Sequence, residues 1–235
     1  MQALGDLVNR YSVLPPLYWR VNWSRKVDAT KLGTMLNTQL GDCTAAAKGH
    51  AIQTWTAWTG VQAEIPDAAI LALYKATSGY DGTHATDRGA AIITVLNYWL
   101  RNPIAGHTLS GYCGISPGTI DSIKQCIWMF GGCDIGLLLP RTCLSQGIWR
   151  LVSKSGDGAP GSAGGHDVFV VDYDDNAQLL DFWTWGHKKQ MSYAFYDYYC
   201  DEGYGLASKD WIMKSGQTPS DINWNALLAD LRSGF

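Results

Sequence analysis

The sequence predicts an α+β protein whose first half is mainly helical and carries a cysteine at a helix start. Its second half is rich in antiparallel strands and carries a histidine at a strand start. Three observations predict it. Gly41-Asp42-Cys43-Thr44-Ala45-Ala46-Ala47 sets a cysteine at a turn that opens an alanine-rich helix. Gly164-Gly165-His166-Asp167-Val168-Phe169-Val170-Val171 is a Gly-Gly turn, a histidine and a β-branched run. A chain of 235 residues fits one large domain or two intimate lobes.

The helix opened by Cys43 reads as mostly buried, since Ala51, Ile52, Trp55 and Trp58 continue its apolar pattern. A cysteine in its first turn faces the positive end of the helix dipole, which favours thiolate over thiol and suits a nucleophile. The alternative is a small apolar residue packed at a helix start. His50 shares the helix face but lies two turns on, about 10 Å along the axis at ~1.5 Å per residue. It is expected to be structural. Further on, Pro66-Asp67 opens a helix to about residue 78, and a second helix is expected near 88–101, with Asp87 as its cap.

The β half starts with a strand and turn in 104–115, then an amphipathic helix from Ile120, Gly131-Gly132, and a strand at Ile135–Pro140. Ser153–Gly165 reads as a loop next to His166. After the histidine strand come a turn at Asp174-Asp175-Asn176, a strand at 179–183, and Thr184-Trp185-Gly186. Phe195-Tyr196-Asp197-Tyr198-Tyr199 is an aromatic insert that forms either a contact surface or a core wedge. From Ser220, Trp224, Leu227, Leu228 and Leu231 recur at helical spacing, giving a tail helix that docks on the body or on a partner. At the other end, Leu14-Pro15-Pro16-Leu17 favours an extended strap. Within one domain (1–235), the boundaries expected are 18–110 for the helical lobe, 111–213 for the β lobe and 214–235 for the tail.

Composition narrows the partners. A formal charge of −3 gives no reason to expect nucleic acid or an acidic membrane surface. No run of about 18 apolar residues exists, and the N-terminus lacks a signal-peptide pattern. The six cysteines include no CxxC pair, which argues against zinc, and no cofactor motif is present. They read as mostly reduced thiols.

Five patches, taken in order, resemble the papain-like cysteine peptidase family, in a divergent form of the type found in bacterial and phage genomes. Trp19-Arg20-Val21 with Trp23 is similar to the family's mature N-terminal segment. Asn37-Thr38-Gln39-Leu40-Gly41-Asp42-Cys43 resembles its nucleophile loop. Ile120–Leu139 resembles the segment before the histidine, Gly165-His166-Asp167-Val168 the histidine strand, and Thr184-Trp185-Gly186 with Asp201–Gly205 the elements after it. The resemblance covers roughly residues 18–213. It implies a two-lobed fold and hydrolysis of a peptide or amide bond in a peptide or protein substrate. Cys43 would be the nucleophile, His166 the base, and Asn37, with the Cys43 backbone N–H, an oxyanion donor; Asn37 is otherwise a turn residue, and Gln39 is the alternative donor.

The sequence departs from the family at the residue that orients the histidine. The family has asparagine two residues before the Trp-Gly element, where this chain has Trp183. Asp181, two residues earlier on that strand, is the expected replacement, or else a solvated strand-edge acid. Thr184 and Asp167 rank behind it because they alternate to other faces. The second functional reading is a weak or inactive papain-like scaffold. It would be a phage virion or assembly component that binds protein partners through the aromatic insert and the tail helix. Either reading places the chain in the cytoplasm or on a virion.

Overall fold

The computed structural model describes residues 3–4 and 18–232. The expected Leu14–Leu17 strap lies outside the described residues. The chain folds as a helical lobe against an antiparallel sheet, so the α+β expectation holds.

The organising element of the helical lobe is α1, Cys43–Thr59, in which every residue from Thr44 to Thr56 is buried. A helix covered all round needs small faces, and its alanines supply them. Gly49 is required by packing, because a Cβ there would fall 2.3 Å from the Met35 Sδ of the loop ahead of Cys43. Helix α2, Asp67–Ser78, follows Pro66 and stops at Gly79 in the left-handed conformation. Helix α3 is shorter than expected, Ile92–Trp99, with an extended Ala91 as its N-cap. Asp87 is therefore no helix cap; its carboxylate is used elsewhere, as described below.

The sheet runs β2–β8–β3–β5–β6–β7–β4. These strands are β2 Leu109–Gly114, β3 Cys133–Leu139, β4 Ile148–Trp149, β5 Gly164–Asp174, β6 Leu179–Thr184, β7 His187–Ser192 and β8 Cys200–Ser208. A short β1, Arg20–Asn22, pairs with the end of β5. Between these strands every pairing is antiparallel except β4 with β7. Helix α4, Ile120–Phe130, leads into β3 through Gly131-Gly132. A Cβ on Gly132 would fall 2.2 Å from the Phe169 ring, so the glycine lets β5 and the turn close together.

Two open choices are settled by burial. The aromatic insert forms α5, Tyr193–Tyr199, with Phe195, Tyr196 and Tyr199 in the core, so it is a wedge and not an external contact surface. The tail forms α6, Trp224–Arg232, which buries Trp224, Leu227, Leu228 and Leu231 and packs its Leu231 side chain over Gly111 of β2. The tryptophan count has a structural use. Indole N–H groups of Trp23, Trp55, Trp99 and Trp211 donate to the backbone carbonyls of Ile127, Phe130, His107 and Met129, tying helices to loops inside the core. Among the described residues no helix is long and apolar enough to cross a membrane.

Candidate active site

Cys43 is the first residue of α1, directly after the buried N-cap Asp42. The turn before it is fixed from outside, because the Gly41 N–H donates to Asp87 Oδ1 at 2.9 Å and Tyr74 donates to the same oxygen. Asp87 thus locks the loop before Cys43 to α2. The Asn37 amide N–H donates to Asp42 Oδ1 at 3.1 Å, with a longer 3.5 Å contact to the Leu40 carbonyl. The first N–H groups of a helix have no carbonyl partner within it. Those of Cys43 and Thr44 stand at that position.

His166 lies near the start of the long strand β5 and is buried. Its Nε2 is 2.7 Å from Thr184 Oγ1, and its ring stacks on Trp185 at 4.8 Å and 24°. Trp149 closes a further side at 6.3 Å. Trp185 and Gly186 form the two-residue turn from β6 to β7, both with positive φ (50° and 75°). Such a turn suits a tight hairpin. Tryptophan in the left-handed region is uncommon and is held here by its stacking. Nδ1 of His166 makes no protein hydrogen bond among the described residues.

The side chains expected at the site divide. Cys43, His166 and Asn37 line one cavity of about 670 Å³. Asp181 does not reach the histidine, and this corrects the expectation. It accepts from Gln190 Nε2 at 2.8 Å and pairs with Lys188 at 3.0 Å. The reason is a one-residue frame. Phe169 pairs with Trp183, so continuing that register sets Thr184 opposite Val168, on the His166 face, while Trp183 and Asp181 share the other. Trp183 uses its own face to donate to Thr54 of α1 at 2.9 Å. His50 is structural, with Nε2 3.2 Å from the Gly33 carbonyl.

The electrostatics oppose the simple dipole argument. Cys43 is partly open to the cavity, yet the protein packed around it pushes its thiol up to about 12. The nearby Asp167 charge adds to this, and the Asp167 backbone N–H, hydrogen-bonded to the sulfur, works against it. Burial pushes the His166 imidazole down to about 4. In the cavity they share, Cys43 therefore rests as a thiol and His166 as a neutral imidazole, because desolvation outweighs the helix terminus.

Beneath the pair lies a buried ionic triad that the sequence reading missed. Lys48 Nζ sits 2.6 Å from both Asp134 Oδ2 and Asp167 Oδ2. It joins α1, the helix of Cys43, to β3 and to the residue beside His166. Burial works against the ammonium, but the two carboxylates outweigh it and hold Lys48 above its ordinary value. Burial, with Asp134's charge, raises Asp167 well above the carboxylate range. A lysine in an alanine-rich helix reads as a solvated residue, so only the fold reveals its partners.

No family model matches the chain, and no curated protein matches it by sequence. Solved structures match its fold. Xylellain, a cysteine protease from Xylella fastidiosa, aligns with TM-score 0.56 and 15% identity over 71% of this chain and 79% of its own. The cysteine protease and lectin-like domains of Cwp84, a surface layer associated protein of Clostridium difficile, align with TM-score 0.56 and 10% identity over 81% and 52%. Digestive procathepsin L 3 of Tenebrio molitor larval midgut aligns with TM-score 0.57 and 17% identity over 84% and 72%. The chain has a papain-like fold.

Proposed function

We propose that this protein is a cysteine-nucleophile hydrolase of peptide or amide bonds. The observation that carries the reading is the His166 ring, anchored through Nε2 on Thr184 and lining one cavity with Cys43. With Nε2–H donating to the Thr184 hydroxyl, Nδ1 keeps its lone pair for the thiol proton. The sulfur attacks the carbonyl carbon as that proton moves to His166, and a tetrahedral oxyanion forms. Asn37 and the Cys43 backbone N–H are the donors that would hold it. Collapse expels the amine, protonated by His166, and leaves an acyl-enzyme. Water then attacks the acyl carbon as His166 takes its proton, the C–S bond breaks to release the acid, and the proton returns from His166 to the sulfur. A neutral resting pair makes this proton transfer concurrent with attack, with no standing thiolate.

The cavity wall bears Asp87, Asp201 and Glu202 against Arg88, which favours substrates with basic side chains over acidic ones. The test is turnover of a fluorogenic peptide library, with loss in both Cys43→Ala and His166→Ala. The same burial that neutralises the pair favours a second reading, a catalytically silent scaffold. That reading gains if no peptide is turned over and Cys43 titrates like any hindered thiol.

A further inference from the structure

We infer that Asp42 is the positioning residue that orients the Asn37 carboxamide for oxyanion binding. The inference rests on the hydrolase reading above. Asp42 is fully buried, and its Oδ2 is a buried oxygen with no hydrogen-bond partner among the described residues. A carboxyl in that state costs stability. It also leaves α1 without a side-chain cap bond, although it occupies the N-cap position. Stability therefore gives no reason for a carboxyl here.

Its one side-chain hydrogen-bond partner among the described residues, Asn37, gives one. Asn37 offers two N–H donors on one nitrogen. One goes to Asp42 Oδ1 at 3.1 Å. The other makes only the 3.5 Å contact with the Leu40 carbonyl, at the limit of a hydrogen bond. The carboxyl oxygen accepts from the nitrogen of the carboxamide, so that end faces Asp42. With that end pinned, the weakly used N–H belongs to the side chain that lines the cavity.

Charge fits the role. Burial, with lesser contributions from the charges of Asp87 and Asp67, raises Asp42 to about 7 against the pull of the Asn37 bond. Near neutrality the group is partly uncharged. It can accept from Asn37 without setting a full negative charge beside a forming oxyanion.

The test compares two probes on wild type, Asn37→Ala, Asp42→Ala and the double variant. A peptide aldehyde adds to the Cys43 sulfur and develops an oxyanion; iodoacetamide alkylates the same sulfur without one. The expected result is aldehyde binding weakened at least about tenfold in each single variant and no further in the double. Alkylation is not slowed in Asp42→Ala. Asp42→Asn, which keeps an acceptor oxygen, restores aldehyde binding. If Asp42→Ala does not fold, Asp42→Val serves the same arm. Aldehyde binding unchanged in the Asp42 variants, or losses that add in the double variant, would overturn the inference alone. Wild type that binds no aldehyde overturns the hydrolase reading, and this inference with it.

Discussion

His166 Nε2 lies 2.7 Å from Thr184 Oγ1, and this bond to a hydroxyl fixes the imidazole that shares a cavity with Cys43. A threonine at the end of β6 does here what a carboxylate on the same strand was expected to do. Thr184→Val keeps the shape and removes the acceptor. The expected outcome is a fall in kcat/KM of about a hundredfold, the low end of what a placed acid–base group contributes. Asp181→Asn, whose side chain serves Gln190 and Lys188, is expected to stay within about threefold of wild type. Steady-state kinetics on one peptide decide between the two residues.

The Lys48 triad joins the helix that starts at Cys43 to the strand of His166. Lys48→Met leaves Asp134 and Asp167 buried without their cation. Destabilisation of about 3–5 kcal/mol is expected, read as a shift in the urea midpoint at constant slope. Replacing all three residues with apolar side chains is expected to recover most of that loss.

Buried histidines make the fold sensitive to acid. Burial holds His50 near 4 against an ordinary value of 6.5, so the unfolded chain binds a proton that the folded chain refuses. This contribution is fully present above about pH 6.5 and is lost as pH falls to about 4. It amounts to about 3 kcal/mol at ~1.4 kcal/mol per unit. Asp42 and Asp172, raised by burial to about 7 and about 6, act in the opposite direction over an overlapping window. The difference between wild type and His50→Gln isolates the histidine. Wild type is expected to lose stability relative to the variant as pH falls from 6.5 to 4, measured by urea denaturation at each pH.

The acidic wall of the cavity predicts a substrate preference. Peptides with lysine or arginine beside the scissile bond are expected to be cleaved faster than glutamate counterparts. Asp201→Asn with Glu202→Gln is expected to narrow that ratio about fivefold per charge removed, about 1 kcal/mol for a partly exposed pair. Relative kcat/KM values in a mixed-substrate competition measure it.

The residues that read clearly in the sequence are those with strong local signals. Cys43 at an alanine-rich helix start and His166 after Gly-Gly each announce themselves within ten residues, and the fold brings both to one cavity. What the sequence hides depends on register or on burial. Thr184 and Asp181 are told apart only by knowing that Phe169 pairs with Trp183, which no local pattern specifies. Asp87 looks like a helix cap until α3 is seen to begin at Ile92, and its partner, Gly41, is 46 residues away. Phe195, Tyr196 and Tyr199 suit a surface or a core equally by composition; only the packing of α5 decides.

The central claim is that His166 serves Cys43 as a base within a substrate cavity. The most direct measurement is the labelling rate of Cys43 by a lysine-containing peptidyl chloromethyl ketone and by iodoacetamide. It is followed by intact mass from pH 4 to 9 in wild type and His166→Ala. The account predicts selective labelling by the peptidyl reagent, at least about a hundredfold faster than by iodoacetamide near neutral pH. That advantage is lost in the variant. Its lower limit in wild type lies near pH 4, where the imidazole protonates. Equal rates for the two reagents, or a peptidyl rate unchanged in His166→Ala, would contradict it.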